Sequence, residues 1–532
     1  MSGIPKPHAI GIPNPVLPGC HPDPSICRVG DWYYLVTSTF EYLPGLPVLR
    51  SRDLAHWETI GHVIDRAGML DFDGIGSSGG LYAPTIRHGL GLFWVVCTLV
   101  RRDGSTGGGN FLVTSADPAG PWSDPIPLDA DGIDPSLAFD DDGRVWMHGT
   151  RLVADPEWPQ QTEVWVREYS PVEQRLIGDE HVIWTGAVRG AVWAEGPHLY
   201  RTGDGWMLVA AEGGTEFHHA VSVARAAEIT GPYESNRANP VLTHRQLGRR
   251  PGVIGVGHAD LVQAPDGSWL AVLLGMRADD GIHYPLGRET FLCPVDWQDG
   301  WPVFAPGEGL VPDAVPAPWV DRIPDAGIWQ PDDRRAGDIP PADPRWTSPR
   351  ALPTEIARID GGAWRMPVRA ATLKDATAVA FLGFRQQHPD LDVHCVLDVA
   401  DLAVGESAGL VVRQSESDHV LLQVTRHEDG CAIGAVRVAA GIREAGPETP
   451  VAGDEIELVL RVRGFEYLFE HAGRTVVTAD GRELDAAATG GFLGLWIGAH
   501  ATSHGARPHG EVRIARMAYE PVTRTGIGSL GR

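Results

Sequence analysis

The sequence predicts an all-β protein with two domains, and three observations support this. Glycine and proline are frequent, with 65 Gly and 43 Pro in 532 residues, as is typical of chains with many turns. No long stretch shows the periodicity of an amphipathic helix. The length also exceeds what a single hydrophobic core usually supports, so that two domains are expected.

A pattern recurs five times in the first part of the chain: a short leading motif, an apolar strand, a turn, and a second strand with an aromatic residue. The residues that lead the five copies are Asp23, Ala83, Asp134, Glu195 and His258. They are spaced by about 51 to 63 positions, close to the length of a propeller blade with loop insertions. Five copies therefore predict a five-bladed β-propeller. Because the innermost strands of a propeller line one channel, the leading residues are expected to converge at one face.

Proline-rich sequence follows the fifth copy, and the strand pattern changes after it. We predict a propeller domain over residues 1–310, a linker with the start of the second domain over residues 311–350, and a β-sandwich over residues 351–532. Segments such as LDVHCVLDV, HVLLQVTRH and EIELVLRVRG alternate like half-buried sandwich strands. Which sandwich residues reach the propeller is not evident from the sequence, and we interpret Gly491–Ala499 (GFLGLWIGA) as a core strand.

The charge pattern excludes several classes of partner. The formal net charge is −25 and basic residues are not clustered, so that neither nucleic acid nor an anionic membrane is expected as a partner. The first residues lack an apolar signal segment, and no apolar run approaches the roughly 20 residues of a membrane span. We therefore expect a cytoplasmic protein. Six cysteines without a CxxC pair predict neither a disulfide framework nor a zinc site.

Three of the five leading residues are carboxylates: Asp23, Asp134 and Glu195. An Asp beside a Pro often has only a turn role, but three converging carboxylates would place unpaired charges on a crowded axis, which is costly. Hydrolysis of a glycosidic bond needs one acid that protonates the leaving oxygen and one base that activates water. A third carboxylate raises the pKa of the acid by like-charge repulsion. The pattern thus favours glycosidic bond hydrolysis.

Five ordered motifs surround these residues: HPDPSICRVGDWYYLV, GIDPSLAFDDDGR, EGPHLYRTGDGW, GHADLV and PLGRETF. Together they resemble glycoside hydrolase family 43, the group of β-xylosidases and α-L-arabinofuranosidases with a C-terminal β-sandwich. The resemblance implies a concanavalin-like sandwich and an inverting mechanism with Asp23 as general base, Glu195 as general acid, and Asp134 tuning and orienting the acid. Inversion needs a water between base and sugar, so that the Asp23 and Glu195 carboxyl groups are expected roughly 6.5–9.5 Å apart.

The resemblance also implies residues that bind the sugar. Arg288 of PLGRET resembles the family arginine that donates to sugar hydroxyls, a role that suits a planar fork of donors; the alternative is an outer-strand salt bridge. Phe40 and Tyr82 resemble aromatic walls of the terminal subsite, or else belong to the core. Many β-xylosidases of this family carry Trp where this chain has Tyr82, which leaves the preference between xylose and arabinose open. Thr215 contacts the sugar or serves a turn.

His258 resembles an axial histidine that in some relatives approaches a bound cation, often calcium, through water. The alternative is a histidine that is satisfied within the core. The carboxylate chemistry requires no cofactor, so that a calcium ion in the channel would be structural. The GxGxxG match at Gly74–Gly79 (GIGSSG) is not followed by helical periodicity, and we interpret it as a loop.

The sequence thus predicts an exo-acting, inverting glycoside hydrolase that releases terminal β-1,4-linked xylose from short xylan-derived oligosaccharides, with α-L-arabinofuranosidase activity as a second activity. Two alternatives stay open. One is an enzyme that acts mainly on α-L-arabinofuranosides, and the other is a noncatalytic carbohydrate-binding propeller. The expected partner is a small oligosaccharide, and the sequence does not decide whether the chain forms a homo-oligomer.

Overall fold

Apolar runs alternate with glycine-containing turns through most of the chain, and consecutive runs pair as antiparallel strands. The computed structural model describes residues 11–101, 108–203, 205–320 and 337–522, and it confirms the predicted all-β propeller with a C-terminal sandwich. The helices are short. They are the α-helices Pro353–Ile356 and Ala486–Thr489 and the 3-10 helices Arg245–Leu247 and Gly481–Glu483. Within the described ranges, no helix has the length and apolar character needed to cross a membrane.

Five antiparallel sheets form the propeller blades, with four strands in each of blades 1, 2, 3 and 5 and a fifth short strand in blade 4. The strands of blade 1 are Ser25–Val29, Trp32–Val36, Gly45–Ser51 and Glu58–Ile64. Those of blade 2 are Gly80–Gly89, Leu92–Val100, Gly109–Ser115 and Ile126–Pro127. Those of blade 3 are Ile133–Phe139, Val145–Leu152, Thr162–Ser170 and Arg175–Trp184. The strands of blade 4 are Glu195–Thr202, Gly205–Glu212, Ala220–Ala226 and Glu234–Ser235, and the short strand Leu242–Thr243 also belongs to this sheet. Those of blade 5 are Gly252–Gln263, Trp269–Ala278, Glu289–Gln298 and Trp301–Phe304.

The second strand of each blade is covered on both faces by neighbouring blades, and its sequence is correspondingly apolar. Trp269–Ala278 (WLAVLLGMRA) is an example, with eight buried positions. Separate apolar clusters fill the spaces between adjacent blades. The ring is closed where the first strands of blades 1 and 5 meet. The segment before blade 1 extends this closure, because Gly11–Pro13 pairs with Ala314–Pro316, and Leu17 forms a bridge with Thr290.

The second domain consists of two packed antiparallel sheets. The strands of the first sheet, in spatial order, are Arg358–Asp360, Ala363–Pro367, Glu511–Pro521, Asp390–Asp398, Glu455–Arg463, Glu466–His471 and Arg474–Asp480. The short strand Gly337–Asp338 also pairs with Glu511–Pro521. Those of the second sheet are Phe381–Arg385, Trp496–Thr502, Ser407–Arg413, His419–His427, Gly430–Ala439 and Ile442–Ala445. The short strand Thr449–Val451 also pairs with Gly430–Ala439. One large apolar core lies between the sheets.

The sandwich is docked against blades 1, 2 and 5, and at blade 5 the Leu495 amide donates to the Pro285 carbonyl while Asp485 accepts from the Tyr284 amide. The short strand Tyr42–Leu43 pairs with Ser348–Pro349, and the Tyr42 ring stacks on Trp496 with 4.1 Å between the ring centroids. A mixed apolar cluster joins residues of both domains at this contact. The docking places the sandwich beside the channel mouth, where the leading residues of the repeats lie.

Candidate active site

The five blades share one backbone feature at or just before their first strands. Left-handed φ values occur at Asp23 (54°), Ala83 (38°), Asp134 (54°), Gly196 (55°) and His258 (52°). In blades 2 to 5 the pairing of the first and second strands shifts register at this point, as in a β-bulge. The repeated conformation explains why the leading residues from different blades converge.

In blade 4 this shared position is occupied by Gly196, and Glu195 lies one residue earlier. The sequence comparison had aligned Glu195 itself with the other leading residues, so its register was wrong by one residue. The physical reason is space: a Cβ atom on Gly196 would lie 2.9 Å from Nδ1 of the His258 ring. A side chain at this position would displace the His258 ring, and the carboxylate of this blade comes from the neighbouring position.

Asp23 is buried, with 6% of its surface exposed, and it has several hydrogen-bond and charge partners. The Ser38 hydroxyl donates to its Oδ2 at 2.5 Å, and Nη1 of Arg288 donates to its Oδ1 at 3.2 Å. Nδ1 of His258 lies 3.9 Å from the same Oδ1. Burial by itself would raise the pKa of Asp23, but Arg288, followed by His258 and Ser38, holds it below its usual value. Asp23 is therefore ionised at neutral pH.

Asp134 and Glu195 have pKa values displaced in the opposite direction. Oδ2 of Asp134 accepts a hydrogen bond from the Gly196 amide at 2.9 Å. Burial raises the pKa of Asp134 to about 6, and the Asp23 charge adds to the rise while His258 opposes it. The pKa of Glu195 lies well above its usual value because of burial and the negative charges of Asp134 and Asp23. One cavity thus holds an ionised carboxylate and a carboxylic acid.

Arg288 connects these carboxylates with the side walls of the cavity. Besides Asp23, its Nη1 donates to the Thr215 hydroxyl at 2.8 Å, and its guanidinium carbon lies 5.5 Å from the ring centre of Phe40 and 5.2 Å from that of Phe492. Arg288 Nε is buried without a hydrogen-bond partner among the described residues. Arg288 therefore forms an ion pair inside the site, and not the outer-strand salt bridge that was the alternative.

Three aromatic rings stand together beside Arg288. Phe40 and Tyr82 meet edge to face at 5.3 Å between ring centroids, and Phe492 of the sandwich lies 6.1 Å from Phe40 and 5.8 Å from Tyr82. Sequence reasoning missed Phe492, which lies in a segment that was interpreted as core. Its only sequence signal was an apolar run rich in glycine, which core strands share.

The loop Gly74–Gly79 holds this aromatic wall in place. The Ser78 hydroxyl accepts a hydrogen bond from the Phe492 amide at 2.8 Å, and the Ser78 carbonyl accepts one from the Tyr82 hydroxyl. Glu41, the residue after Phe40, accepts hydrogen bonds from the Ser77 hydroxyl at 2.9 Å and the Ser78 amide at 3.1 Å. The GIGSSG match is thus a loop, as interpreted, and it joins the wall residues of both domains.

A buried ion cluster fixes this loop to the sandwich. Arg413 is fully buried and donates to Glu41, to the Tyr42 hydroxyl at 2.7 Å and to the Ser77 hydroxyl at 2.9 Å. It also donates to Glu416, which accepts from the Ser77 amide at 3.0 Å. Burial alone would raise the pKa of Glu416, but Arg413 and Arg350 lower it to about 2. The sandwich therefore contributes to the geometry of the pocket as well as one of its walls.

Beneath the site, a second ion pair ties the blades together at the axis. Asp260 of blade 5 is fully buried and accepts hydrogen bonds from Ser25 of blade 1 at 2.8 Å, Arg87 of blade 2 at 2.7 Å and the Tyr200 hydroxyl of blade 4. Arg87 also reaches Nδ1 of His198 at 2.9 Å. Asp260 lies in the GHADLV motif, but its role is not evident from the sequence. Hydrogen bonds to one buried carboxylate thus connect four of the five blades.

The surroundings of His258 bear on the predicted cation. The described residues include no group of three or more His, Cys, Asp or Glu side chains placed to hold a metal ion. Calcium prefers six to eight oxygen ligands, whereas the groups near His258 are the carboxylates of Asp23 and Asp134, Gly196, and the rings of His198 and His219. These residues do not fit a directly ligated calcium ion, and a cation held through water stays a prediction.

Comparison with known proteins identifies the family. Residues 12–302 match the sequence model of glycosyl hydrolases family 43, and residues 338–520 match that of the beta xylosidase C-terminal concanavalin A-like domain. The chain belongs to glycoside hydrolase family 43. This confirms the resemblance seen in the motifs, and the protein is a glycoside hydrolase.

Relatives of this family 43 enzyme match it over both domains. It is 36% identical over 513 residues to a "Xylosidase/arabinosidase" of Butyrivibrio fibrisolvens, covering 92% of this chain and 96% of the relative. It is also 36% identical over 513 residues to the "Non-reducing end alpha-L-arabinofuranosidase BoGH43B" of Bacteroides ovatus, covering 92% and 91%. The crystal structure of a xylan beta-1,4-xylosidase from Bacillus halodurans C-125 matches with a TM-score of 0.86 at 30% identity, covering 96% and 100%.

The glycine of blade 4 provides a test of the site geometry. Gly196→Ala adds a methyl group against His258 at a left-handed φ of 55°, where a side chain costs about 1–2 kcal/mol. We expect kcat on an aryl glycoside to fall at least about 10-fold, since about 1.4 kcal/mol in the barrier is sufficient. Gly203→Ala is the control, because a methyl group there meets nothing within 4 Å. Equal rates for Gly196→Ala and wild type would show that this position has no steric requirement.

Proposed function

We propose that this family 43 enzyme releases a single terminal β-1,4-linked xylose from short xylooligosaccharides, with inversion at the anomeric carbon. The observation that carries the proposal is the opposite displacement of two pKa values in one cavity. Arg288 holds the pKa of Asp23 below its usual value, and burial with neighbouring carboxylates holds that of Glu195 well above its usual value. An inverting glycosidase needs one such base and one such acid.

In the proposed reaction, Glu195 donates its proton to the glycosidic oxygen as the bond from that oxygen to the anomeric carbon breaks. Asp23 accepts a proton from a water molecule on the opposite face of the sugar, and the water oxygen forms the new bond to the anomeric carbon. After product release, the proton on Asp23 and the vacancy on Glu195 are exchanged with solvent. Every proton is accounted for by these two carboxyl groups.

Asp134 and Arg288 support these steps without transferring a proton. The Asp134 carboxylate is anchored on the Gly196 amide next to Glu195, and its charge favours the protonated form of Glu195. Arg288 is directed by Asp23 and Thr215 toward the aromatic wall. The planar guanidinium of Arg288 suits hydrogen bonds to sugar hydroxyls.

The walls of the cavity support attack at a chain end. Phe40 and Tyr82 of the propeller and Phe492 of the sandwich enclose one side of the Arg288 guanidinium, and Ser78 ties two of them together. A site closed by a second domain favours a terminal sugar over the middle of a long polymer.

A second candidate activity is the release of terminal α-L-arabinofuranose. The specific observation in its favour is the name of a relative that is 36% identical over both domains, a non-reducing end α-L-arabinofuranosidase. Tyr82 is consistent with this, because its hydroxyl is held by Ser78 at a position where a Trp would fill more of the pocket. Parallel rates on p-nitrophenyl β-D-xyloside and p-nitrophenyl α-L-arabinofuranoside rank the two activities.

Substrates with different leaving groups distinguish the roles of the Glu195 and Asp23 carboxyl groups. p-Nitrophenolate leaves without much protonation, whereas xylose leaving from xylobiose needs a general acid, which contributes roughly 10²–10⁴-fold. We expect Glu195→Gln to lose roughly that factor on xylobiose and much less on p-nitrophenyl β-D-xyloside. Asp23→Asn should lose a similar factor on both substrates.

The control for these variants is Glu173→Gln, because Glu173 lies on an exposed turn. Initial rates of p-nitrophenol and xylose release are measured at one pH. An equal loss of both rates in Glu195→Gln would contradict its role as general acid, and an enzyme that binds xylobiose but cleaves neither substrate would favour the noncatalytic propeller.

The pH profile tests the role of Asp134. Activity needs protonated Glu195, so that kcat/KM falls as the pH rises through the pKa of Glu195. Because the Asp134 charge adds to burial in raising this pKa, Asp134→Asn should move the alkaline limb to lower pH, while the acidic limb stays with Asp23, whose pKa Arg288 holds below its usual value. Asp142→Asn, an exposed change in the same blade, should leave both limbs in place. An unmoved or upward-shifted alkaline limb in Asp134→Asn would contradict the tuning role.

A further inference from the structure

A second cleft lies between the propeller and the sandwich, and none of the three carboxylates belongs to its lining. It includes residues of blade 1, of the segment that joins the domains, and of the sandwich. Its polar lining residues are His21, Thr59, His62, Arg345, Arg385 and Gln387. No Asp or Glu side chain belongs to the lining within the described ranges. Such a lining offers many hydrogen-bond donors and no anionic group.

Arg385 is the most unusual member of this lining. It ends the strand Phe381–Arg385, and its guanidinium carbon lies 5.4 Å from the centre of the Trp496 ring. In the part of the chain that the structure describes, no carboxylate lies within 4.0 Å of its nitrogens, and its Nε is buried without a hydrogen-bond acceptor. By contrast, Arg345 on the same cleft is paired with Asp343 at 2.8 Å. The charge of Arg385 is therefore uncompensated by described residues.

The field of Arg385 acts on the neighbouring imidazoles. Burial, followed by the Arg385 charge, lowers the pKa of His62 to about 3 and lowers that of His21 as well. Both rings are thus neutral near pH 7. Burial also lowers the pKa of Arg385 itself, which reflects the cost of a cation that has lost water without gaining an anionic partner.

Blade 1 contributes free polar groups opposite Arg385. Thr59 and His62 both lie on the strand Glu58–Ile64, and no hydrogen bond to the Thr59 hydroxyl or the His62 ring is formed by other described side chains or backbone groups. An anion placed between them and the guanidinium would contact the propeller on one side and the sandwich on the other. It would also neutralise the unpaired charge.

We propose that this cleft binds a small oxyanion of the phosphate class, held by the guanidinium fork of Arg385 together with Thr59 and His62. The planar fork of an arginine matches the oxygen geometry of phosphate and can form two parallel hydrogen bonds to it. The bound anion braces the propeller against the sandwich. This inference is independent of the reaction proposed for Asp23 and Glu195, because none of the lining residues belongs to that site.

Inorganic phosphate is the probe for this site. Binding to the full chain is measured by isothermal titration at pH 7 with ionic strength held constant by sodium chloride. We expect one saturable site per chain, and a melting temperature that rises with phosphate concentration beyond the sodium chloride control, since a ligand that binds only the folded state stabilises it. Phosphate should not compete with p-nitrophenyl β-D-xyloside.

Substitutions of the lining residues test whether phosphate binds in this cleft. Arg385→Met should weaken phosphate binding at least about 10-fold, as expected when a charged fork is removed, and should abolish the phosphate-dependent rise in melting temperature. Arg443→Met, at an exposed position of the sandwich, should bind as the wild type does. If Arg385→Met fails to fold, Thr59→Val and Arg385→Lys are each expected to weaken binding while they retain the fold. Absence of phosphate binding to the wild type, or unchanged binding in the Arg385 variants, would overturn the proposal.

Discussion

The ion pair between Arg288 and Asp23 is the interaction on which the proposed chemistry depends. A carboxylate buried as deeply as Asp23 would normally take up a proton, and the guanidinium 3.2 Å away prevents this. The negative charge that is retained then acts on Glu195, whose pKa it raises together with Asp134. Arg288 thereby maintains the ionised base, whereas burial and the two neighbouring carboxylates maintain the protonated acid against the opposing charge of Arg288.

One backbone conformation recurs in all five blades and positions the side chains of the site. Left-handed, bulged positions in successive blades bring their side chains to the channel mouth, and the Asp260 and Arg87 pair fixes the blades below it. The sandwich then adds what the propeller alone lacks. It supplies Phe492, and through Arg413 it secures the loop that holds Phe492 and Tyr82. The carboxylates therefore depend on propeller geometry, whereas the pocket walls depend on both domains.

The sequence was informative where a feature repeats and uninformative where it arises from a single contact. Five copies of a leading motif predicted the propeller and brought Asp23 and Asp134 together, because equivalent positions share one conformation. The register of Glu195 was wrong by one residue, since the steric conflict between position 196 and His258 is not visible in the sequence. Phe492 and Arg385 could not be predicted, because their surroundings are created by docking two domains that are far apart along the chain.

The stereochemistry of the first product tests the central claim most directly. With Asp23 as a base that activates water and Glu195 as an acid on the other side of the sugar, a β-xyloside must yield α-xylose first. Proton NMR of a fresh reaction, recorded before the sugar equilibrates, resolves the two anomeric signals. We expect the α signal to appear first and the β signal to grow later through mutarotation. Initial formation of β-xylose would contradict it, because retention requires a covalent intermediate on a carboxylate that this account assigns as a base.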